Sequence, residues 1–99
     1  MRIFSRRTLR EFWVQRGRED SKQPLLSWFR VVERANWTKP SDVKRQFRSA
    51  SFIGDNRVIF NVAGNKYRLV VHINYAFRAA YICFVGTHDE YDLIDPEKV

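Results

Sequence analysis

The sequence predicts an α+β fold, and three observations predict it. Ninety-nine residues leave room for one hydrophobic core, so residues 1–99 read as a single domain. Apolar residues recur at a helical period in the first half and at a period of two through residues 58–73. Turn formers, Gly64-Asn65 first among them, join the later runs as antiparallel strands. Helices followed by an antiparallel meander pack on one sheet face and need not cover the other.

Each element has a local reason. Arg2-Ile3-Phe4-Ser5 suits a brief strand. Thr8-Leu9-Arg10-Glu11 has the spacing of a capping box, and Leu9, Phe12 and Trp13 share a helical face. With Gly17 as a left-handed stop, the first helix is predicted over 8–16. Ser21 is placed to cap a second helix over 22–36, with Pro24 tolerated in its first turn. Leu25, Trp28, Phe29, Val32 and Ala35 form its apolar stripe. Pro40-Ser41 opens a short third helix over 42–48, with Val43 and Phe47 inward and Lys44, Arg45 and Arg48 outward. Val58, Phe60 and Val62 then alternate, as do Tyr67, Leu69, Val71 and Ile73 across the Gly64-Asn65 turn. A break at residues 76–78 precedes a third strand from Ala80 to Gly86. Thr87-His88-Asp89-Glu90 is a second capping box, opening a helical turn through Tyr91 and Asp92.

Charge narrows the function. Eighteen Lys and Arg against eleven Asp and Glu give +7, and the excess is confined to one half. Residues 1–50 carry thirteen basic and five acidic side chains, while residues 51–99 carry five and six. Thirteen of the cations are Arg, which forks onto phosphate and stacks on bases. A polyanionic partner is expected, nucleic acid ahead of an anionic membrane. No apolar run approaches the roughly 20 residues of a membrane span. No apolar stretch follows the basic N-terminus, so no secretory signal is expected. The one cysteine, Cys83, reads as a core thiol in a reducing cytoplasm. No Cys, His or carboxylate spacing reads as a metal site, and no cofactor is expected.

The hairpin turn fixes a register. With 63 opposite 66, Asn61 and Arg68 become cross-strand neighbours. A loop over 76–79 would place Arg68 beside Thr87, next to His88, and Tyr91 lies one helical turn further on. Asn61, Arg68, His88 and Tyr91 are therefore expected around one concavity, with Arg57, Lys66 and Asn65 at its rim as RNA-binding groups. Such a set suits RNA cleavage. A base takes the 2′-hydroxyl proton, a cation stabilises the charge growing on phosphate, and an acid protonates the leaving 5′-oxygen. His88 can be base or acid, Arg68 can grip phosphate, and Tyr91 can donate a proton or stack on a base. Plainer readings stand beside these. Arg68 can pair with Asp89 or Asp92, Tyr91 can staple the last turn to the sheet, and His72 reads as structural. Trp13, Trp28 and Phe29 read as core, and Trp37 as core or platform.

The segment Phe60-Asn61-Val62-Ala63-Gly64-Asn65-Lys66-Tyr67-Arg68-Leu69-Val70, then Tyr81-Ile82 and Thr87-His88-Asp89-Glu90-Tyr91-Asp92, resembles the HigB family of bacterial toxins. Lys39-Pro40-Ser41 before an amphipathic turn is similar too. The resemblance implies a RelE-like α+β fold and an endoribonuclease, an mRNA interferase, that cuts messenger RNA, commonly on the translating ribosome. It implies a cognate HigA-like antitoxin with a helix-turn-helix, and operator DNA bound only through the toxin–antitoxin complex. The family's basic and His/Tyr site positions fall on Arg68, His88 and Tyr91, with Asn61 and Lys66 at flanking motif positions. The choice of base and acid between His88 and Tyr91 stays open. A non-catalytic RNA- or ribosome-binding module is the alternative reading.

Overall fold

The computed structural model describes residues 1–99. A short strand β1 (Arg2–Phe4) leads directly into helix α1 (Arg6–Trp13). The helix therefore begins two residues earlier than predicted, and Thr8 lies inside it. The Thr8–Glu11 capping box does not form: the Thr8 amide donates to the Ser5 carbonyl at 3.1 Å, and Glu11 accepts from Arg7 Nε at 2.7 Å. Gly17 takes φ +85°, the left-handed value only glycine adopts freely, and turns the chain into a 3-10 turn at Glu19–Ser21. Helix α2 (Lys22–Arg34) follows. Ser21 does not cap it, because its hydroxyl donates backwards to the Arg18 carbonyl at 2.6 Å. At the other end the Met1 ammonium donates to the carbonyls of Val32, Glu33 and Ala35, at 3.3, 3.2 and 2.6 Å. A cation there satisfies free carbonyls at the negative end of the helix dipole. Helix α3 (Pro40–Gln46) starts with Pro at its first position, two residues before the predicted start.

Four strands then form the meander: β2 (Ser51–Ile53), β3 (Arg57–Val62), β4 (Tyr67–Asn74) and β5 (Ala79–Thr87). The last element is α4 (His88–Tyr91). The sheet order is β1-β5-β4-β3-β2, antiparallel throughout except that β1 joins β5 in parallel. Strand β2 was not expected. It is three residues long and lacks alternation, yet Gly54-Asp55-Asn56 after it is a turn signal, and Asp55 and Asn56 both take positive φ.

The hairpin register between β3 and β4 is the one the Gly64-Asn65 turn dictates, with Val62 opposite Tyr67 and Asn61 opposite Arg68. Gly64 and Asn65 take φ of +58° and +77°, as a type I′ turn demands at both central positions. The next hairpin differs. Its turn spans Tyr75 to Arg78, one residue earlier than expected, closed by Arg78 N–H to the Tyr75 carbonyl at 3.3 Å. Ladder pairing then runs Val71 opposite Ile82 but Val70 opposite Phe84, which leaves Cys83 as the extra residue of a bulge. Arg68 consequently faces Gly86 rather than Thr87. Cys83 is half-buried on that bulge, not a core thiol.

Alternation puts Val58, Phe60 and Val62 of β3 and Tyr67, Leu69, Val71 and Ile73 of β4 under the helices, where all are buried. Leu9, Phe12, Leu25, Trp28, Val32 and Val43 meet them from above. Phe60 is the hub. Its ring lies 5.4 Å from Trp28 and 5.0 Å from Phe47, edge to face, and stacks on Trp37 at 6.3 Å. Trp37 is thus core, with its indole N–H donating to Gln46 Oε1 at 2.6 Å. On the second sheet face Ile59 and Val70 are also buried. The segment after α4 runs back to β3, where the Val99 carbonyl accepts from Arg57 Nη2 at 2.8 Å, so this face is partly covered. No helix is long and apolar enough to cross a membrane.

Removing the hub should leave a cavity that three rigid aromatics cannot close. Phe60→Ala is expected to cost about 3–5 kcal/mol in chemical denaturation. Phe77→Ala, at a side chain 76% exposed, should stay within about 0.5 kcal/mol of wild type.

Candidate active site

Strand β4 carries Arg68 on the sheet face that points away from α1 and α2, and β5 runs beside it into α4. The capping box predicted at Thr87 forms in both directions. The Glu90 amide donates to Thr87 Oγ1 at 3.2 Å, and the Thr87 amide donates to Glu90 Oε1 at 2.9 Å. Glu90 Oε2 accepts from Arg18 Nη2 at 2.7 Å. Arg18 itself lies over the Phe12 ring at 4.6 Å. One carboxylate therefore starts α4 and ties it to the loop after α1. The Arg18 guanidinium, then the Thr87 amide, hold the Glu90 carboxyl below its ordinary pKa. Gly86 is needed here for space. A Cβ on it would come 2.5 Å from the Phe84 ring and 3.1 Å from Glu90 Oε1.

With α4 so placed, three predicted residues meet. Arg68 Nη2 and His88 Nε2 are 3.0 Å apart. The Arg68 guanidinium lies over the Tyr91 ring, 4.8 Å from its centroid. His88 Nδ1 is 3.3 Å from Asp92 Oδ2. A guanidinium only donates, so Nε2 is the acceptor in this arrangement and Nδ1–H faces the Asp92 carboxylate. Arg68 pairs with neither Asp89 nor Asp92, and its Nε is buried without a partner. Asp92, expected only as a partner for Arg68, instead sits beside the imidazole. Its signal was the i,i+4 spacing from His88 on a helical turn.

The surrounding residues are less gathered than expected. Asn61 is the cross-strand neighbour of Arg68, but its amide donates to the Ser49 carbonyl at 3.4 Å, and it borders a cleft with Trp28 and Phe47. Lys66 is ion-paired with Asp20 of the 3-10 turn. The Tyr67 hydroxyl donates to the same carboxylate at 2.5 Å. Lys66, then Tyr67, hold Asp20 below its ordinary pKa, and burial, then Asp20, raises the Tyr67 phenol. Asn65 is an exposed turn residue. Arg57 is not at this rim. It sits four residues from Asn61, about 13 Å along the strand, held by Asp55 at 2.7 Å and by the Val99 carbonyl. His72 faces Arg57 across the ladder, with its ring 6.1 Å from Tyr81. Nor is the site a concavity: none of the four clefts is lined by Arg68, His88 or Tyr91. His88 is exposed, while Arg68 and Tyr91 are half-buried.

Chemically, the arrangement offers a fixed cation, an imidazole oriented by a carboxylate, and a phenol beneath the cation. His88, Asp89 and Asp92 also bring ligand atoms within 4.8 Å of one another, a grouping the sequence spacing did not suggest. All three are exposed, and Asp92 already engages the imidazole.

Residues 21–94 match the family described as HigB toxin, RelE-like toxic component of a toxin–antitoxin system. The chain is 32% identical over 73 residues to the mRNA interferase toxin HigB of Escherichia coli (strain K12), covering 72% of this chain and 70% of that protein. The mRNA interferase HigB of Escherichia coli O157:H7 and that of Shigella flexneri match to the same extent.

A depressed carboxyl stabilises the fold above its ordinary pKa, and that contribution is lost as pH falls through the lower folded value. Thermal stability should therefore fall below about pH 4. Glu90→Gln should lower the melting temperature at neutral pH and flatten part of that acid limb. A melting curve for Glu90→Gln that parallels wild type from pH 7 to pH 3 would contradict the assignment.

Proposed function

Because the chain belongs to the HigB family of RelE-like toxins of toxin–antitoxin systems, we propose that it is an endoribonuclease that cleaves messenger RNA and thereby arrests translation and growth. The observation that carries this reading is the contact between Arg68 and His88. Residues twenty apart in sequence place a cation and an imidazole 3.0 Å from each other on an exposed surface.

The chemistry follows from what each group can do. The 2′-hydroxyl oxygen attacks the adjacent phosphorus, and a 2′-O–P bond forms as the P–O5′ bond breaks. When a phosphate draws Arg68 Nη2 away, the Nε2 lone pair that accepted its N–H is freed to take the 2′-hydroxyl proton, so His88 acts as the base, with Asp92 beside the imidazolium that forms. Arg68 turns its remaining N–H groups to the phosphoryl oxygens, where negative charge grows. Tyr91, stacked beneath Arg68, holds the guanidinium in place and supplies a phenolic proton for the departing 5′-oxygen. The products are a 2′,3′-cyclic phosphate and a free 5′-hydroxyl. The nucleophile is part of the substrate, so no metal is required and DNA is inert.

The open site suits a message presented by a larger particle better than a free oligonucleotide, which supports action on the translating ribosome. A cognate HigA-like antitoxin would neutralise the toxin in the cytoplasm and carry the complex to operator DNA.

Induction of the chain alone should stop growth and create new internal message ends, detected by 5′-end sequencing. Arg68→Ala and His88→Ala should each lower cleavage by about 10²-fold or more, with melting temperatures near wild type. Two folded variants as active as wild type would refute the assignment, and binding without new ends would favour the non-catalytic module. Excess chelator should leave cleavage by the purified chain unchanged. Loss on chelation, restored by a divalent ion, would move the chemistry to the His88, Asp89 and Asp92 grouping.

A further inference from the structure

The largest cleft of the molecule, about 800 Å³, lies between α1 and α2 and takes no part in the chemistry above. Arg6, Arg10 and Trp13 recur at i, i+4 and i+7 along α1, and Lys22 and Leu26 at i and i+4 along α2, so both helices turn these residues to one groove. Arg7 and Val14 complete its lining. Arg7 is paired with Glu11, whereas Arg6, Arg10 and Lys22 have no acidic partner. Arg6 reaches across to lie over the Phe29 ring of α2 at 5.3 Å.

Two features point outward. First, Arg6 and Arg7 occupy the first turn of α1, which holds no acid. Cations there oppose the helix dipole and repel one another, an arrangement that an anionic partner would relieve. Second, Val14 is 64% exposed among the residues lining this basic groove, with buried Trp13 and half-buried Leu26. A phosphate backbone would answer the cations and leave that apolar strip wet. A peptide helix with acids on its flanks and apolar residues at i, i+3 and i+4 would cover both. The groove also belongs to the helical layer, on the opposite side of the sheet from Arg68, so a message engaged there would not reach it.

We propose that this groove is where the antitoxin of the system docks, through an acidic amphipathic segment. The proposal rests on membership of the toxin–antitoxin family and on no catalytic assignment. The test titrates the full-length antitoxin encoded with this toxin against the full chain by calorimetry. The variants are Val14→Asp and the double substitution Arg6→Glu with Arg10→Glu, each checked for folding by its melting temperature. Affinity is expected to fall at least about tenfold in each, and growth arrest by each variant expressed alone is expected to persist. Unchanged affinity in both folded variants overturns the proposal. So does unchanged affinity with growth arrest and ribosome co-sedimentation lost, which would make the groove an RNA surface. Failure of the nuclease reading shows elsewhere, as absent internal message ends with the wild-type chain.

Discussion

The Glu90 carboxylate divides its oxygens between the Thr87 amide and the Arg18 guanidinium, and the site depends on both bonds. The first starts α4 at the end of β5. The second pins that short helix to the loop after α1. A four-residue helix has almost no stability of its own, so without these contacts His88 and Tyr91 would be a frayed end. With them, both side chains sit at fixed positions beside a strand. Arg68 is the second residue of β4, paired on both sides by β3 and β5, and its guanidinium is held by an aromatic face and an imidazole. The precision of the site is thus borrowed from a cap and a ladder, not from a pocket.

The same layering separates two kinds of charge. On one side of the sheet a small set of polar groups sits on an open surface. On the other, α1 and α2 carry Arg6, Arg10 and Lys22, three cations that line a groove without acidic partners. Between them lies a core whose packing centres on Phe60. Lys66 lies in the turn just before β4, two residues from Arg68, yet its ammonium pairs with Asp20, which also binds Tyr67.

Much of this was legible because it is local. Gly64-Asn65 permits one tight turn, and that turn fixes Asn61 opposite Arg68. Thr87 and Glu90 form their box because both partners lie within one helical turn. The identical logic failed at Thr8 and Glu11. There β1 pairs with β5 and delivers the chain into α1 at Arg6, before Thr8 can cap it, and Arg7 takes Glu11. Strand β2 escaped notice because three residues carry no period. The bulge at Cys83 escaped because an extra residue in a strand costs nothing in the pattern of apolar side chains until the partner strand is seen.

The sequence by itself determined the fold class, the helix and strand faces and the β3–β4 register. Each of these follows from side-chain periodicity or from turns and caps that close within a few residues. Only the tertiary structure decided that Arg57 lies at the far end of β3, bound to the C-terminal segment, that Asp92 orients His88, and that Arg18 reaches 72 residues along the chain to hold Glu90. Those contacts join segments whose separation in sequence sets no distance in space, so nothing short of the packed chain fixes them.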